Sequence, residues 1–261
     1  MSTDNGYRTT VRGDDLDFRD IDDAPVEDVD EDEVEEIEVQ LVVLDLAGTT
    51  VADEGIVESA FERALVDTGI TESDDEKLRA LEYVHETMGQ SKIDVFRVLA
   101  DDEEQAQHAN AVFEGAYAEL LVSQGVKAIP GAEQVIRELR TAGVKVALVT
   151  GFSAQTRDTL LASLGWQDLA DVVLSPADAG RGRPYPDLPL TALLRTGATT
   201  VDSVIVVGDT AADIESGIAA GAGVTVGVLT GAHDERTLID AGADAVIDSV
   251  ADLPGLLGLD D

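Results

Sequence analysis

Cysteine is absent from this chain of 261 residues, which excludes disulfides, thiolate nucleophiles and thiolate metal ligands. Lysine is nearly absent: Lys77, Lys92, Lys127 and Lys145 are the only four. Aromatic residues make up 4%, so a core must be packed from Ala, Val, Leu and Ile. A hydrophobic content of 44% is ample for that core. No stretch comes near the roughly 20 apolar residues that a membrane span needs. The N-terminus is acidic and lacks the apolar run of a secretory signal. The expected location is the cytoplasm, with no membrane partner.

Positive charge is also scarce, and the net charge is −37. Residues 1–38 carry sixteen acidic and three basic side chains, which is −13 of that total. The remaining −24 falls on the part expected to fold. Nucleic acid is excluded as a partner, because a phosphate backbone needs a basic face. Self-repulsion at this charge density is severe in dilute buffer and screened in molar salt. An acidic, lysine-poor surface resembles that of proteins from salt-loving archaea, whose cytoplasm is rich in KCl.

The chain divides by composition and period. Residues 1–38 are low in apolar content and without periodicity, and read as a disordered acidic tail. Residues 39–53 hold a first strand, Leu41–Leu44, and the turn after it. Residues 54–126 change character. Helical periods run through Val57–Val66, Asp75–Thr87, Lys92–Leu99 and Glu103–Leu121, with no convincing strand, so this stretch reads as an inserted all-helical cap. From residue 127 to 261 helix and strand alternate. Helices over 131–142, 154–164, 187–195 and 211–220 precede strands at Val144–Val149, Val172–Leu174, Val204–Val207 and Val224–Leu229. A short strand, Ala245–Ile247, precedes a C-terminal helix. This alternation predicts an α/β fold: a Rossmann-like parallel sheet with helices on both faces, plus the inserted cap.

Ligands of an open α/β sheet bind beyond the carboxyl ends of its strands. Four segments place polar residues there. Asp45 ends the first strand, and the Gly48-Thr49 turn after it aims backbone N–H groups where phosphate oxygens would sit. Thr150-Gly151 ends the second strand, Arg183 lies after the third, and Gly208–Asp213 follows the fourth. Asp45 is a nucleophile suited to phosphorus. Ala47, two residues on, cannot donate a proton, so the leaving group must not need one from that place.

The order of these segments resembles the haloacid dehalogenase superfamily over about residues 39–250. Three runs resemble its phosphonoacetaldehyde hydrolase (phosphonatase) branch: Asp45–Thr50 with alanine third, Met88-Gly89-Gln90-Ser91-Lys92-Ile93-Asp94, and Gly182-Arg183-Pro184-Tyr185-Pro186. The resemblance implies an aspartyl-phosphate on Asp45 and a Schiff base between Lys92 and a substrate aldehyde. It implies Thr150 and Arg183 as further catalytic groups, and substrate contacts at Gly48, Thr49, Met88, Gly89 and Gly151. Mg²⁺ is the implied cofactor, held by Asp45, the Ala47 carbonyl and Asp209, with Asp213 behind them. The chemistry agrees with Ala47. A protonated imine is an electron sink, so carbon leaves as an enamine that needs no proton from position 47. Lys92 must then be desolvated enough to be neutral part of the time.

The sequence departs from that branch at three places. Val95 stands where the branch has a histidine, Phe152 where it has a tyrosine, and its cysteine is missing. The expected activity is cleavage of a C–P bond in phosphonoacetaldehyde or a related phosphonate. The alternatives are a phosphomonoesterase acting on a small phosphorylated metabolite and a non-catalytic phosphate-binding protein. His85 reads first as a surface helix residue and His233 as a loop residue at the functional end. The assembly stays open to a homodimer.

Overall fold

The computed structural model describes residues 7–10 and 36–259. A hairpin-like pair comes first: β1 (Tyr7–Thr10) runs antiparallel to β2 (Glu36–Val39). Both lie within or overlap the segment expected to be a disordered tail. The strand-forming types Tyr, Thr, Ile and Val concentrate in these two stretches and supply the local reason. The rest of residues 1–38 lies outside the described residues.

A six-stranded sheet follows, built from β3 (Leu41–Asp45), β4 (Lys145–Val149), β5 (Val172–Leu174), β6 (Val204–Gly208), β7 (Val224–Val228) and β8 (Ala245–Ile247). Its spatial order is β5-β4-β3-β6-β7-β8, and every pairing is parallel. β3 is central, with Leu41 opposite Lys145 on one side and Val204 on the other. Successive side chains of a strand face opposite ways. Val42 and Leu44 accordingly join one apolar cluster, and Leu41 and Val43 the other. Both faces are covered, which is why these strands read as unbroken apolar runs.

Helices α5 (Ala132–Thr141) and α6 (Ala154–Leu164) pack into the first cluster through Ile136, Leu139, Leu160 and Leu161. Helix α8 (Asp187–Thr196) packs into the second through Leu188 and Ala192, and α9 (Ala211–Ala220) lies beside it. A short α7 (Pro176–Ala179) precedes α8, and α11 (Leu253–Leu256) closes the chain. Helix α10 (Glu235–Asp240) is not evident in the sequence periodicity. Asp234 caps it and the buried Leu238 anchors it.

Between β3 and α5 come α1 (Ile56–Asp67), α2 (Asp74–Glu86), α3 (Lys92–Leu99) and α4 (Glu103–Gln124), all within two residues of expectation except the longer C-terminus of α4. Ser73 and Glu76 form a reciprocal capping box at the start of α2. The chain leaves and re-enters the sheet side by side, since Ala52 N–H donates to the Lys127 carbonyl and Ile129 N–H to that of Thr50. Four of the five phenylalanines, Phe61, Phe96, Phe113 and Phe152, gather with Tyr117 where these helices meet the sheet domain. The scarce aromatic residues thus concentrate at one junction.

Candidate active site

The sheet order reverses between β3 and β6, and a crevice opens beyond such a switch point. Asp45 ends β3 and Asp209 follows β6, so two carboxylates meet there, each nearly fully buried. Burial raises Asp45 to about 7, with the Asp213 charge adding to it and Arg183 opposing. Burial also pushes Asp209 well above the usual carboxylate range, and Asp45 and Asp213 push further. Crowded, desolvated like charges of this kind call for a cation.

Arg183 supplies part of that charge. Its guanidinium is buried and forks between Asp45 Oδ1 at 2.5 Å and Asp213 Oδ1 at 2.7 Å. The fork fixes the rotamer of Asp45. Its Nε is buried and has no hydrogen-bond partner among the described residues, and the residue lines the cavity. Asp213, expected behind the metal ligands, makes its contacts within the protein. Its other oxygen accepts from the Thr210 hydroxyl at 2.5 Å and the Thr210 N–H at 3.2 Å, which closes a capping box on α9. Both of its oxygens are therefore engaged within the protein.

Asp209 accepts from the Thr49 hydroxyl at 3.0 Å and from the Ala232 N–H at 2.8 Å. Gly48 has φ 92, and a side chain there would collide with the Asp209 carboxylate. Among the described residues no group of three His, Cys, Asp or Glu side chains is arranged to hold a metal. Asp45, Asp209 and the Ala47 carbonyl, which takes no hydrogen bond from the described residues, still form a hard oxygen set. The raised carboxyls fit Mg²⁺ there.

Thr150 is buried at the end of β4, and its Oγ1 accepts the Phe152 N–H at 3.2 Å. The segment Met88-Gly89-Gln90 descends onto this strand end. A Cβ on Gly151 would strike the Gly89 and Gln90 carbonyls, and one on Gly89 would strike Thr210. Met88, Gly89, Thr150 and Gly151 all line one cavity of about 190 Å³, together with Asp45, Ala47, Arg183 and Asp209. Gly48 and Thr49, both expected to touch substrate, are buried and are not among the residues that line it; Thr49 reaches the site through its bond to Asp209.

Lys92, the first residue of α3, lines the same cavity from the helical side. It is 6% exposed. Its Nζ stands 5.2 Å from the centroid of Phe152 and 5.7 Å from that of Phe61, and makes no ion pair or hydrogen bond among the described residues. Burial, with Arg183 adding to it, lowers it to about 8 against the pull of Asp45, Asp53 and Asp209. Val95 is buried in the helical core and offers no proton. His85 is exposed and stacks on His233 at 5.5 Å, as a surface helix residue can. His233 instead is buried: its Nδ1 accepts from Ala211 N–H and its Nε2 meets the His85 carbonyl.

Sequence reasoning missed Asp53. It lies half-buried on the cavity wall, and its Oδ1 accepts from the N–H groups of Ile56 and Val57 at 2.9 and 3.1 Å. The available signal was an Asp three residues before the first apolar position of α1. Thr230, whose hydroxyl donates to the Gly48 carbonyl at 2.6 Å, carried no signal at all.

Similarity to known proteins agrees with this geometry. The chain is 28% identical to a phosphonoacetaldehyde hydrolase of Bacillus thuringiensis (strain Al Hakam) over 216 residues, 74% of this chain and 76% of that protein. It is 26% identical to the bifunctional riboflavin kinase/FMN phosphatase of Arabidopsis thaliana over 215 residues, 81% of this chain but only 54% of that protein. The chain thus spans about half the length of the latter relative. A crystal structure of a phosphonoacetaldehyde hydrolase-like protein from Oleispira antarctica superposes with a TM-score of 0.71 at 26% identity, covering 84% of this chain and 91% of that one. The haloacid dehalogenase-like hydrolase family matches residues 39–221, a span that contains every residue from Asp45 to Asp213 described above. With that match and a parallel sheet carrying its carboxylates at the switch point, the chain belongs to the haloacid dehalogenase-like hydrolases.

Proposed function

We propose that this hydrolase cleaves the C–P bond of a small phosphonate bearing a carbonyl group, such as phosphonoacetaldehyde. The observation that carries this reading is Lys92: a desolvated amine without an ion pair among the described residues, facing the same cavity as Asp45. A surface lysine has no reason to be buried over two rings. In its neutral form the amine adds to the substrate carbonyl, and loss of water gives a protonated imine. Asp45, held by Arg183, then attacks phosphorus. The P–C bond breaks and its electron pair moves into the imine, leaving an enamine on Lys92 and an acyl phosphate on Asp45. Water hydrolyses the acyl phosphate, and protonation and hydrolysis of the enamine free the aldehyde and the amine.

Mg²⁺ held by Asp45, Asp209 and the Ala47 carbonyl would neutralise the repulsion between anionic nucleophile and phosphoryl group. Arg183 Nε and the Thr150 hydroxyl supply donors for phosphoryl oxygens. The small cavity suits a compact substrate. The similarity to phosphonoacetaldehyde hydrolases is in line with this reading, whereas that to an FMN phosphatase favours ester hydrolysis instead.

Borohydride added with phosphonoacetaldehyde separates the two. Reduction of the imine should leave a stable secondary amine on the peptide containing Lys92, located by mass spectrometry. Lys92→Arg keeps the charge but forms no imine, so C–P cleavage and trapping should disappear together. An untrapped wild type, together with a Lys92→Arg enzyme fully active on its best substrate, would establish a phosphomonoesterase.

A further inference from the structure

Imine chemistry needs a proton carrier as well as an amine. A carbinolamine loses its hydroxyl only as water, and hydrolysis of the imine must return that proton. Val95 is apolar and buried, so the carrier is not there. The other titratable groups on the cavity are Asp45, Asp209 and Arg183 on the sheet side, and Asp53, Glu58 and His85 on the helical side. The first three are tied up in the phosphoryl end. Glu58 and His85 are exposed, and His85 is stacked on His233.

Asp53 differs from all of these. It is half-buried on the wall that carries Lys92. Its Oδ1 takes both helix-capping bonds, and its Oδ2 takes no hydrogen bond from the described residues. The helix it caps, α1, carries Phe61, over whose ring the Lys92 amine stands. We propose that Asp53 is the acid–base partner of Lys92. Its carboxyl gives a proton to the carbinolamine hydroxyl, which leaves as water, and the carboxylate formed faces the protonated imine. In the reverse direction the carboxylate takes a proton from the water that adds to the imine carbon. Each step conserves protons between Asp53, water and substrate. Burial raises this carboxyl above the ordinary aspartate value, while the two capping bonds and the Lys92 charge pull against it. The inference rests on the imine reading of Lys92.

The test is the rate of borohydride-trapped adduct on Lys92 with phosphonoacetaldehyde, measured across pH for wild type, Asp53→Asn and Asp53→Ser. Both replacements can still accept the Ile56 and Val57 N–H groups, so a purely structural role predicts little change. A proton-carrying role predicts trapping slowed about a hundredfold in both variants, at unchanged melting temperature, with the basic limb of the wild-type pH profile lost. Trapping within about twofold of wild type in either folded variant overturns the role of Asp53. Absence of any adduct in the wild type removes the imine reading itself, and this proposal with it.

Discussion

The two walls of the cavity are built on opposite terms. On the sheet wall every charge is answered: Arg183 bridges Asp45 and Asp213, Thr49 and Ala232 hold Asp209, and glycines at 48 and 231 leave room for that carboxylate. On the helical wall Lys92 is buried with rings around it and pairs with no carboxylate among the described residues. The first arrangement fixes the Asp45 carboxylate in one position, as the proposed nucleophile needs. The second leaves an amine desolvated, which the proposed imine chemistry requires. A wall of paired charges and a wall with a buried amine thus occupy one crevice while making different demands on stability.

The contrast is broken most directly at Asp45. Asp45→Asn is nearly isosteric and should leave the fold intact while lowering turnover of every phosphorus substrate by on the order of a thousandfold or more. Steady-state kinetics beside a thermal melt would check this, and activity within about tenfold of wild type would remove the covalent role of the residue.

The energetic asymmetry is tested by removing one buried cation from each wall. Arg183→Met leaves Asp45 and Asp213 facing each other unpaired, and should destabilise by about 3–5 kcal/mol. Lys92→Met should do the opposite. The folded pKa of Lys92, about 8, lies below its ordinary 10.5, so the folded state holds the proton less tightly than the unfolded one. Its cost to stability is therefore fully present below pH 8 and fades as pH rises towards 10.5. Lys92→Met should stabilise the protein by about 1–3 kcal/mol at pH 7, with the gain shrinking above pH 8. Denaturant melts at both pH values measure it, and destabilisation by Lys92→Met at pH 7 would erase the contrast between the walls.

The smallest expected effect belongs to neither wall. With a net charge of −37, repulsion across the exposed surface should make the melting temperature climb as KCl rises from about 0.1 M to about 2 M. The pairs lining the cavity are buried and screened less, so the salt response of Asp45→Asn should match that of wild type. A melting temperature indifferent to KCl would dispose of the resemblance to salt-adapted proteins.

Much of this was legible in the sequence because it is local. Apolar runs of four at Leu41–Leu44 and Val204–Val207 fit strands covered on both faces, and their alternation with helices points to a parallel sheet. Asp45, Thr150, Arg183 and Asp209 follow strand ends in order, so the fold brings them to one edge without further information. Lys92 could be singled out by its motif, but its burial could not, since that depends on Phe61 and Phe152 arriving from separate elements. Only the tertiary structure decided that Asp213 bonds Arg183 and Thr210, that Gly89 and Gly151 let the helices press onto the sheet, and that Asp53 lines the cavity with Lys92. The physical reason is range. Periodicity and strand-end position are properties of neighbouring residues, whereas desolvation and charge pairing are set by atoms tens of residues away in the chain.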